Sequence, residues 1–293
     1  MNAEYEKLVA EAPYGRVERL SPLVRRVLAQ NPSPFTFLGT GTYIVGNGIV
    51  AVIDPGPADP AHLDAVAAAL EGEVVSHHLV THTHMDHSPG ARPLQARLGG
   101  VIAGCAPLAL SDDGPRADAG FDPHYAPDQV LADGESVSGP GWTLTAVHTP
   151  GHTSNHLCFA LEEEGALFSG DHVMGWSTSV VAPPDGDMAA YMASLQKLLE
   201  RPDTRYFPTH GAPVEEPQRL VRAMIGHRRQ RENQILALLG AGPRAIPALV
   251  EQMYAAIDPR LWPAAGRSVL AHLIDLQARG RVLPDGEMWV MRP

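Results

Sequence analysis

The sequence has few of the features that mark several common protein classes. Its 293 residues include two cysteines, Cys105 and Cys158, which are too few for the disulfide framework of a small secreted domain. Both lie in apolar, strand-like surroundings, so we expect buried free thiols with no catalytic role. No run approaches the ~18 consecutive apolar residues of a transmembrane helix, and the N-terminus lacks a basic start followed by an apolar segment. These absences predict a cytoplasmic protein that does not contact a membrane.

Positive charge is also scarce. The chain carries 22 Lys and Arg against 33 Asp and Glu, a net charge of −11. Residues 1–215 have 11 basic and 26 acidic side chains, a net −15, whereas residues 216–293 have 11 and 7, a net +4. Because nucleic-acid binding depends on neutralising phosphates, most of the chain is poorly suited to it, although a local basic stripe in the second part would suffice. A length well above roughly 150 residues predicts two domains, 1–215 and 216–293.

Histidine, in contrast, is concentrated in the stretch T-H-T-H-M-D-H at positions 81–87. A buried strand is expected just before it, and since side chains alternate along a strand, His82 and His84 point the same way. Asp86 and His87 fall where the chain turns, with Ser88 as the expected N-cap of the next helix. Imidazole and carboxylate groups suit zinc and its first-row neighbours, and this run offers more of them than one tetrahedral ion needs. The stretch predicts two adjacent metal ions, the alternative being a histidine-rich loop without metal.

Three further candidate ligands each follow an apolar run and lie next to glycine. His152 occurs in T-P-G-H-T, Asp171 ends S-G-D, and His210 stands in T-H-G. Loops that meet at one edge of a sheet are where a scaffold places reactive groups, and glycine lets the backbone pass close to an ion. The seven candidate metal ligands are therefore His82, His84, Asp86, His87, His152, Asp171 and His210.

Taken in order, the elements H-x-H-x-D-H, P-G-H-T, S-G-D and T-H-G resemble the metallo-β-lactamase superfamily. The resemblance implies an α/β fold, a four-layer αββα sandwich, that holds two Zn²⁺ ions, with Fe or Mn as alternatives. It also implies that the carboxylate of Asp54, in D-P-G, holds the histidine loop by hydrogen bonds and does not bind metal. The ligands that it implies are, for the first metal, His82, His84 and His152, for the second, Asp86, His87 and His210, and for both, as a bridge, Asp171.

Two branches of that superfamily fit the sequence poorly. The zinc β-lactamases of the commonest class carry cysteine where this chain has Asp171, which argues against antibiotic hydrolysis as the main role. Asp171 and His210 are 39 positions apart. That spacing leaves no room for the large inserted domain of the family's RNA- and DNA-processing nucleases.

The C-terminal part changes from mixed strands and helices to helices alone. Helices expected at 218–239, 245–256 and 266–278, followed by two short strands, predict a winged helix. This layout and the motif L-G-T-G-T-Y at 38–43 resemble the β-lactamase-like protein 2 branch of the superfamily, which includes an endoribonuclease that acts on single-stranded RNA. That branch often has asparagine where this chain has Gly41, and glycine where it has Thr209. Nearer the front, residues 35–38 are expected to form a strand, and 111–128 a long loop at the mouth of the site.

Three functions are compatible with these patterns. The first is a metal-dependent hydrolase in which a metal-bridging hydroxide attacks a small ester, thioester, lactone or amide, with Asp86 and Asp171 as the catalytic carboxylates. The second is an endoribonuclease whose partner is single-stranded RNA. The third is a non-enzymatic protein with a DNA-binding winged helix, and a homodimer is compatible with each. Three other histidines are candidates to support the ligands by hydrogen bonds or packing: His148, His156 and His172.

Overall fold

The computed structural model describes residues 3–108 and 120–292. Within these ranges the chain forms two large β-sheets, a small third sheet and seven α-helices. The long loop predicted at 111–128 lies outside the described residues up to position 119, and from 120 to 128 it contains no helix or strand. No helix in the described ranges is long and apolar enough to cross a membrane.

The first sheet has seven strands that lie side by side in chain order. The elements of this part are α1 (Ala3–Glu11), β1 (Val17–Arg19), β2 (Val24–Leu28), β3 (Gly41–Asn47), β4 (Ile49–Ile53), α2 (Pro60–Ala69), β5 (Val74–Val80), α3 (Ala91–Leu98), β6 (Val101–Gly104) and β7 (Gln129–Val130). Strands β1 to β4 pair antiparallel, and β4 to β7 pair parallel. Helices α2 and α3 return the chain between the parallel strands, as such connections require.

The second sheet has five strands in the order β12-β11-β10-β9-β8. Its elements are β8 (Ser136–Gly139), β9 (Trp142–His148), β10 (Leu157–Leu161), β11 (Ala166–Gly170), α4 (Met188–Leu199) and β12 (Arg205–Pro208). Neighbouring strands are antiparallel except for β11 and β12, which are parallel and are joined through α4. Asp187 begins α4 as its N-cap, because its side chain accepts the amide hydrogen of Ala190 at 2.8 Å.

Side-chain alternation along the strands builds the layers. In β4, Ala51 and Ile53 face the second sheet and join a core between the sheets, whereas Val50 and Val52 face α2 and α3. Strands buried on both faces are apolar throughout, and I-V-A-V-I is such a sequence. On the far side, Tyr191 and other residues of α4 and α5 cover the second sheet. The result is the four-layer αββα sandwich, which confirms the predicted fold class.

The C-terminal region packs three helices and a small sheet around a core of its own. Its elements are α5 (Pro217–Gly240), β13 (Arg244–Ala245), α6 (Ile246–Met253), α7 (Trp262–Ala278), β14 (Val282–Asp285) and β15 (Met288–Met291), with sheet order β13-β15-β14. Helix α5 belongs to two cores, because Val221 and Met224 pack under the second sheet while Ile235 and Leu239 pack in the C-terminal core. The predicted division between residues 215 and 216 stays a prediction.

Two local predictions were wrong. Residues 35–38 form a turn and not a strand, because the Ser33 hydroxyl accepts the amide hydrogens of Phe35 and Thr36 at 3.1 Å each and so satisfies groups that a strand would need. Ser88 is not an N-cap, because α3 begins later, at Ala91. The Ser88 hydroxyl donates instead to Asp122 at 3.0 Å.

Trp142 ties the two large sheets together and supports a first prediction. Its ring is 1 % exposed, and its indole N–H donates to the carbonyl of Ile49 in the opposite sheet at 2.9 Å. A Cβ at Gly46 or Gly139 would lie 2.5 Å from the indole, so glycine at both positions makes room for it. We expect Trp142→Ala to lower the free energy of unfolding in urea by about 3–5 kcal/mol. Trp142→Phe, the matched control, should lose less, and a loss below about 1 kcal/mol for the alanine variant would contradict this role.

Candidate metal centre

The seven candidate ligands come together at one edge of the two sheets. His82 and His84 follow β5, Asp171 follows β11 directly, and His210 lies just beyond β12. Six of the seven are buried, and Asp86 keeps 13 % of its side chain exposed. Their ligand atoms form two groups, within each of which the atoms lie within 4.8 Å of one another: His82, His84, His152 and Asp171 in the first, and Asp86, His87 and His210 in the second.

In the first group three ring nitrogens converge on one point. Nδ1 of His84 lies 3.0 Å from Nε2 of His82 and 3.2 Å from Nε2 of His152. A ring nitrogen has one hydrogen or one lone pair, so it cannot form good hydrogen bonds with both neighbours. These spacings are instead close to the edge of a tetrahedron of nitrogens about 2.0–2.1 Å from a central zinc, which is about 3.3 Å.

The second group is built in the same way around a carboxylate. Oδ2 of Asp86 lies 3.3 Å from Nε2 of His87 and 3.2 Å from Nε2 of His210. Asp171 faces both groups with different atoms, because its Oδ1 lies 3.4 Å from Nε2 of His210 and its Oδ2 lies 3.7 Å from Nε2 of His152. One carboxylate thus stands between two positions that can each hold a cation.

Buried atoms without partners support a metal at this place. Nε2 of His87 and Oδ1 of Asp171 are buried and have no hydrogen-bond partner in the part of the chain that the structure describes. Such orphaned polar atoms are costly unless something absent from the protein chain satisfies them. Imidazole nitrogens and carboxylate oxygens are the donors that zinc, iron and manganese accept, so the residues present fit a pair of such ions.

Main-chain carbonyls fix the direction of two of the imidazoles. Nδ1–H of His152 donates to the carbonyl of Val180 at 2.6 Å, and Nδ1–H of His210 donates to the carbonyl of Gly39 at 3.1 Å. With the proton of Nδ1 held by the carbonyl, Nε2 faces the site and is the nitrogen that can bind a metal. Such bonds set the tautomer and the ring angle of metal-ligating histidines.

Asp54 plays the same part for one ligand of each group. Its Oδ2 accepts hydrogen bonds from Nδ1 of His87 at 2.9 Å, from the Thr81 hydroxyl at 2.9 Å and from the Thr209 hydroxyl at 3.0 Å. Since the Thr81 hydroxyl donates to Asp54, it accepts from Nδ1 of His82 at 3.0 Å. Asp54 holds φ at +47°, an uncommon backbone conformation for a residue other than glycine. These contacts are the hydrogen-bonding role that the resemblance implied.

The two departures from the β-lactamase-like protein 2 pattern have different consequences here. Thr209 adds a hydroxyl that donates to Asp54, a contact that glycine cannot supply. Gly41 leaves space for Arg26, whose Cδ would lie 3.0 Å from a Cβ at that position. Arg26 then reaches the carbonyl of Gly211 at 3.0 Å, next to His210.

Electrostatics divide the ligands into neutral and charged groups. Burial lowers the pKa of His82 and His84 far below the usual range, and neighbouring rings add to this, so both rings are neutral and can offer lone pairs. Burial alone would also lower the pKa of His210, but Asp171 and Asp86 raise it to about 10. The two carboxylates have pKa values well below the usual range, because the nearby His87 and His210 rings outweigh their burial. A metal entering the second group therefore displaces protons.

The three supporting histidines occupy different places. Nε2 of His156 accepts the amide hydrogen of Asp171 at 3.2 Å, so this ring positions the backbone of the residue between the two groups. His172 is buried beside Tyr191, with ring centroids 4.6 Å apart. His148 is exposed, and its ring lies 3.4 Å from the carbonyl of Ser154.

Sequence reasoning missed Thr40 and Val180. The Thr40 hydroxyl donates to Oδ2 of Asp86 at 3.0 Å, and Asn31 accepts the amide hydrogen of Thr40 at 2.9 Å. Thr40 lies inside the motif L-G-T-G-T-Y, which was the available signal. Val180 acts through its main-chain carbonyl, so its side chain gave no signal.

Comparison with known proteins identifies the family. Residues 36–210 match the metallo-beta-lactamase superfamily, and residues 245–289 match the beta-lactamase associated winged helix domain. The first match covers more than half of the chain. The chain belongs to the metallo-β-lactamase superfamily. It is a metal-dependent hydrolase, and the cluster described above has groups of side chains that could hold metal ions. Its C-terminal region is a winged helix, as predicted.

Individual relatives cover most of this superfamily member. The beta-lactamase-like protein 2 homolog of Drosophila melanogaster is 35 % identical over 94 % of this chain and 97 % of its own length. An atrochrysone carboxyl ACP thioesterase of Cryptosporiopsis is 36 % identical over 78 % of this chain and 66 % of its own length. A metallo-beta-lactamase family protein of Thermus thermophilus has the same fold, with a TM-score of 0.74 at 23 % identity over 94 % of this chain and 100 % of its own.

The role of Asp54 gives a second prediction. Both oxygens of Asp54 accept hydrogen bonds, Oδ2 from His87, Thr81 and Thr209 and Oδ1 from the amide hydrogen of Thr81 at 2.9 Å. An amide has one acceptor oxygen and an NH₂ group, so in Asp54→Asn the NH₂ group faces hydrogen-bond donors on one of these sides. We expect zinc affinity to fall about 10–100-fold, as when other such supporting groups are lost. Competition with a chromophoric chelator measures it. Asp64→Asn on the surface of α2 removes the same charge and is the control, and equal affinities in the two variants would contradict the role.

His62 gives a third prediction, on acid stability. Its Nε2 donates to the Thr42 hydroxyl at 2.8 Å, and that hydroxyl donates to the carbonyl of Asp54 at 2.7 Å. Burial lowers the pKa of His62 to about 4 from 6.5. The folded state therefore favours the neutral ring. The stability that the neutral His62 ring contributes is fully present above pH 6.5 and is lost as the pH falls towards 4.

In His62→Gln the donor remains but nothing titrates at this position. Between pH 6.5 and 4 we expect the free energy of unfolding to fall less in this variant than in the wild type. The difference between the two falls should be at most about 3 kcal/mol. Urea denaturation at several pH values measures the difference. Parallel curves for the two proteins over this range would show that His62 does not contribute.

Proposed function

We propose that this chain is a binuclear zinc hydrolase that cleaves small esters and thioesters, with lactones and amides as chemically related substrates. The observation that supports this most directly is Asp171, whose two carboxylate oxygens face two separate groups of ring nitrogens. In this proposal His82, His84 and His152 would hold the first zinc and Asp86, His87 and His210 the second, and Asp171 would contribute to both.

The residues of the chain prepare the site for attack on a carbonyl. Two ions bound here would lower the pKa of a shared water from ~15.7 towards ~7 and polarise the oxygen of the bond under attack. Asp86 is the candidate ligand whose side chain is partly exposed to solvent, at 13 %. We therefore assign it to orient the attacking water and to receive the proton of that water. Thr40 holds Asp86 by a hydrogen bond to Oδ2, which fixes the direction of the carboxylate.

The surroundings favour a substrate with an apolar acyl part. Met85 stands between the ligands His84 and Asp86 and is 45 % exposed. Trp176 follows Gly175, whose amide hydrogen donates to the carbonyl of His210 at 3.0 Å, and it is 37 % exposed. When an apolar part of a substrate covers large exposed apolar side chains beside a reactive centre, the burial of this surface favours binding. A fungal relative described as an ACP thioesterase supports the thioester class.

Hydrolysis of single-stranded RNA is the second candidate. Arg222 and Arg229 on α5 are exposed and form no salt bridge with any described residue, so they are available to phosphates. The winged helix itself is poorly placed for nucleic acid. Helix α7 is packed between α4 and α6, and Asp285 and Glu287 make the tip of the β14–β15 hairpin acidic. This packing also argues against the DNA-binding alternative. Location in the cytoplasm and a homodimer stay predictions.

A substrate panel with Asp171→Ala gives the fourth prediction. Zinc-loaded protein should hydrolyse an apolar acyl thioester and the matching ester. Asp171→Ala should lose both activities together with bound zinc, because it removes the carboxylate that faces both groups of ring nitrogens. The panel includes a labelled single-stranded RNA. The second candidate would be favoured if the zinc-loaded wild-type protein cleaves the RNA but not the thioester, and if Asp171→Ala abolishes the RNA cleavage. Full activity and full zinc content in Asp171→Ala would contradict the binuclear site.

A further inference from the structure

The segment between β11 and α4, residues 171–187, contributes twice to the metal centre. It begins with Asp171, and further along it supplies the Val180 carbonyl that accepts the Nδ1–H of His152. Ser179 connects these two points, because its hydroxyl lies 2.5 Å from the carbonyl of Asp171 and 2.8 Å from that of His172. The position of the Val180 carbonyl therefore depends on how Ser179 is held.

A buried arginine from the C-terminal helices holds Ser179 from the other side. Arg228 of α5 is 4 % exposed, and its Nη2 donates to the carbonyl of Ser179. Its Nη1 lies 3.4 Å from the hydroxyl of Ser268 on α7, and its guanidinium carbon lies 5.1 Å from the ring centre of Tyr191. Tyr191 in turn donates its phenol hydrogen to the carbonyl of His172 at 3.0 Å.

The chemistry of this arginine is unusual for a packed interior. No carboxylate of the described residues lies within salt-bridge distance of Arg228, and its buried Nε has no hydrogen-bond partner there. A buried charge without an opposite charge is costly, and an apolar side chain would fill the same space at lower cost. What an apolar side chain cannot do is donate to the peptide carbonyl next to the one that orients His152.

We propose that Arg228 is a positioning residue for the first metal group, through which the C-terminal helices fix the Ser179–Val180 peptide and thereby the ring of His152. The contacts form a chain from Arg228 to the Ser179 carbonyl, along one peptide unit to the Val180 carbonyl, and from there to Nδ1 of His152. The C-terminal helices then act on the first metal group through this chain of contacts. The inference rests on His152 as a ligand, as in the proposed function, and it does not depend on the substrate.

Arg231 is a matched control on the same helix. It is half-buried, donates to the carbonyl of Met253 at 3.1 Å and stacks over Tyr254 at 4.5 Å, so it makes the same kinds of contact as Arg228. Its contacts lie within the C-terminal region and lead to no ligand. Arg267 of α7 is a second control, because it donates to the carbonyl of Pro183 in the same segment but beyond Val180.

The experiment measures zinc binding to the full chain in a His210→Ala background, where only the first group is complete. Competition with a chromophoric chelator should show affinity about 10–100-fold weaker in Arg228→Met, by analogy with other groups that orient a ligand. Arg231→Met and Arg267→Met should bind zinc as the background does, even where they lower the melting temperature of the metal-free protein. Arg228→Lys, which keeps a donor and the charge, should recover part of the loss. Cobalt absorption spectra should report altered coordination in Arg228→Met alone.

Two results would overturn the proposal: zinc affinity unchanged in Arg228→Met, or equal losses in Arg228→Met and both controls, which would show general loosening. If Arg228→Met does not fold, Arg228→Gln takes its place, because its shorter side chain lacks the Nη2 that donates to the carbonyl of Ser179; it should weaken zinc binding to the first group, and unchanged affinity would overturn the proposal. Failure of the substrate panel would count against the proposed function and leave this comparison of zinc affinities intact.

Discussion

The geometry of the site depends on the hydrogen bonds that the buried carboxylate of Asp54 accepts. Asp54 lies at the end of β4, in the first sheet, and receives hydrogen bonds from the histidine loop after β5 and from Thr209 after β12, in the second sheet. These bonds connect the edges of both sheets at one point. Because His87 contacts it directly and His82 through Thr81, the same charge orients one ligand in each metal group. A shift of one sheet against the other would therefore disturb both groups together.

The fold explains how such a centre can be held in a rigid geometry. Aromatic side chains of both sheets pack between them, for example Tyr43 and Phe168 with ring centroids 5.1 Å apart. The ligands extend from strand ends on this packed support and are oriented by main-chain carbonyls such as those of Gly39 and Val180. Metal chemistry needs ligands that are already in place, and hydrogen bonds to their outer nitrogens supply that order. The C-terminal helices extend the support, because α5 packs in two cores and carries Arg228 to the segment beside Asp171.

The sequence was sufficient for the parts of the structure that are specified locally. All seven candidate ligands lie in short motifs that follow strands, at a strand end, in the turn after β5 or next to glycine. Their positions therefore followed from residue type and spacing, and the structure brings all seven together. The sandwich followed from the resemblance and from apolar strands such as β4. The turn at 35–38 was missed because side-chain bonds of Ser33 decide it against the strand propensity of Phe35 and Phe37. Thr40 was missed although it lies in the motif L-G-T-G-T-Y, because the motif does not indicate its partner Asp86, which lies 46 positions away. Arg228 was missed because its partner Ser179 lies 49 positions away and no local pattern indicates the contact.

The arrangement of the seven side chains leads us to propose two metal ions on either side of Asp171. Anomalous X-ray scattering at the zinc edge from crystals of the metal-loaded protein tests this proposal most directly. We expect two peaks about 3.5–4 Å apart: one among His82, His84 and His152 and the other among Asp86, His87 and His210, with the Asp171 carboxylate between them. A single peak, or peaks away from these residues, would contradict it.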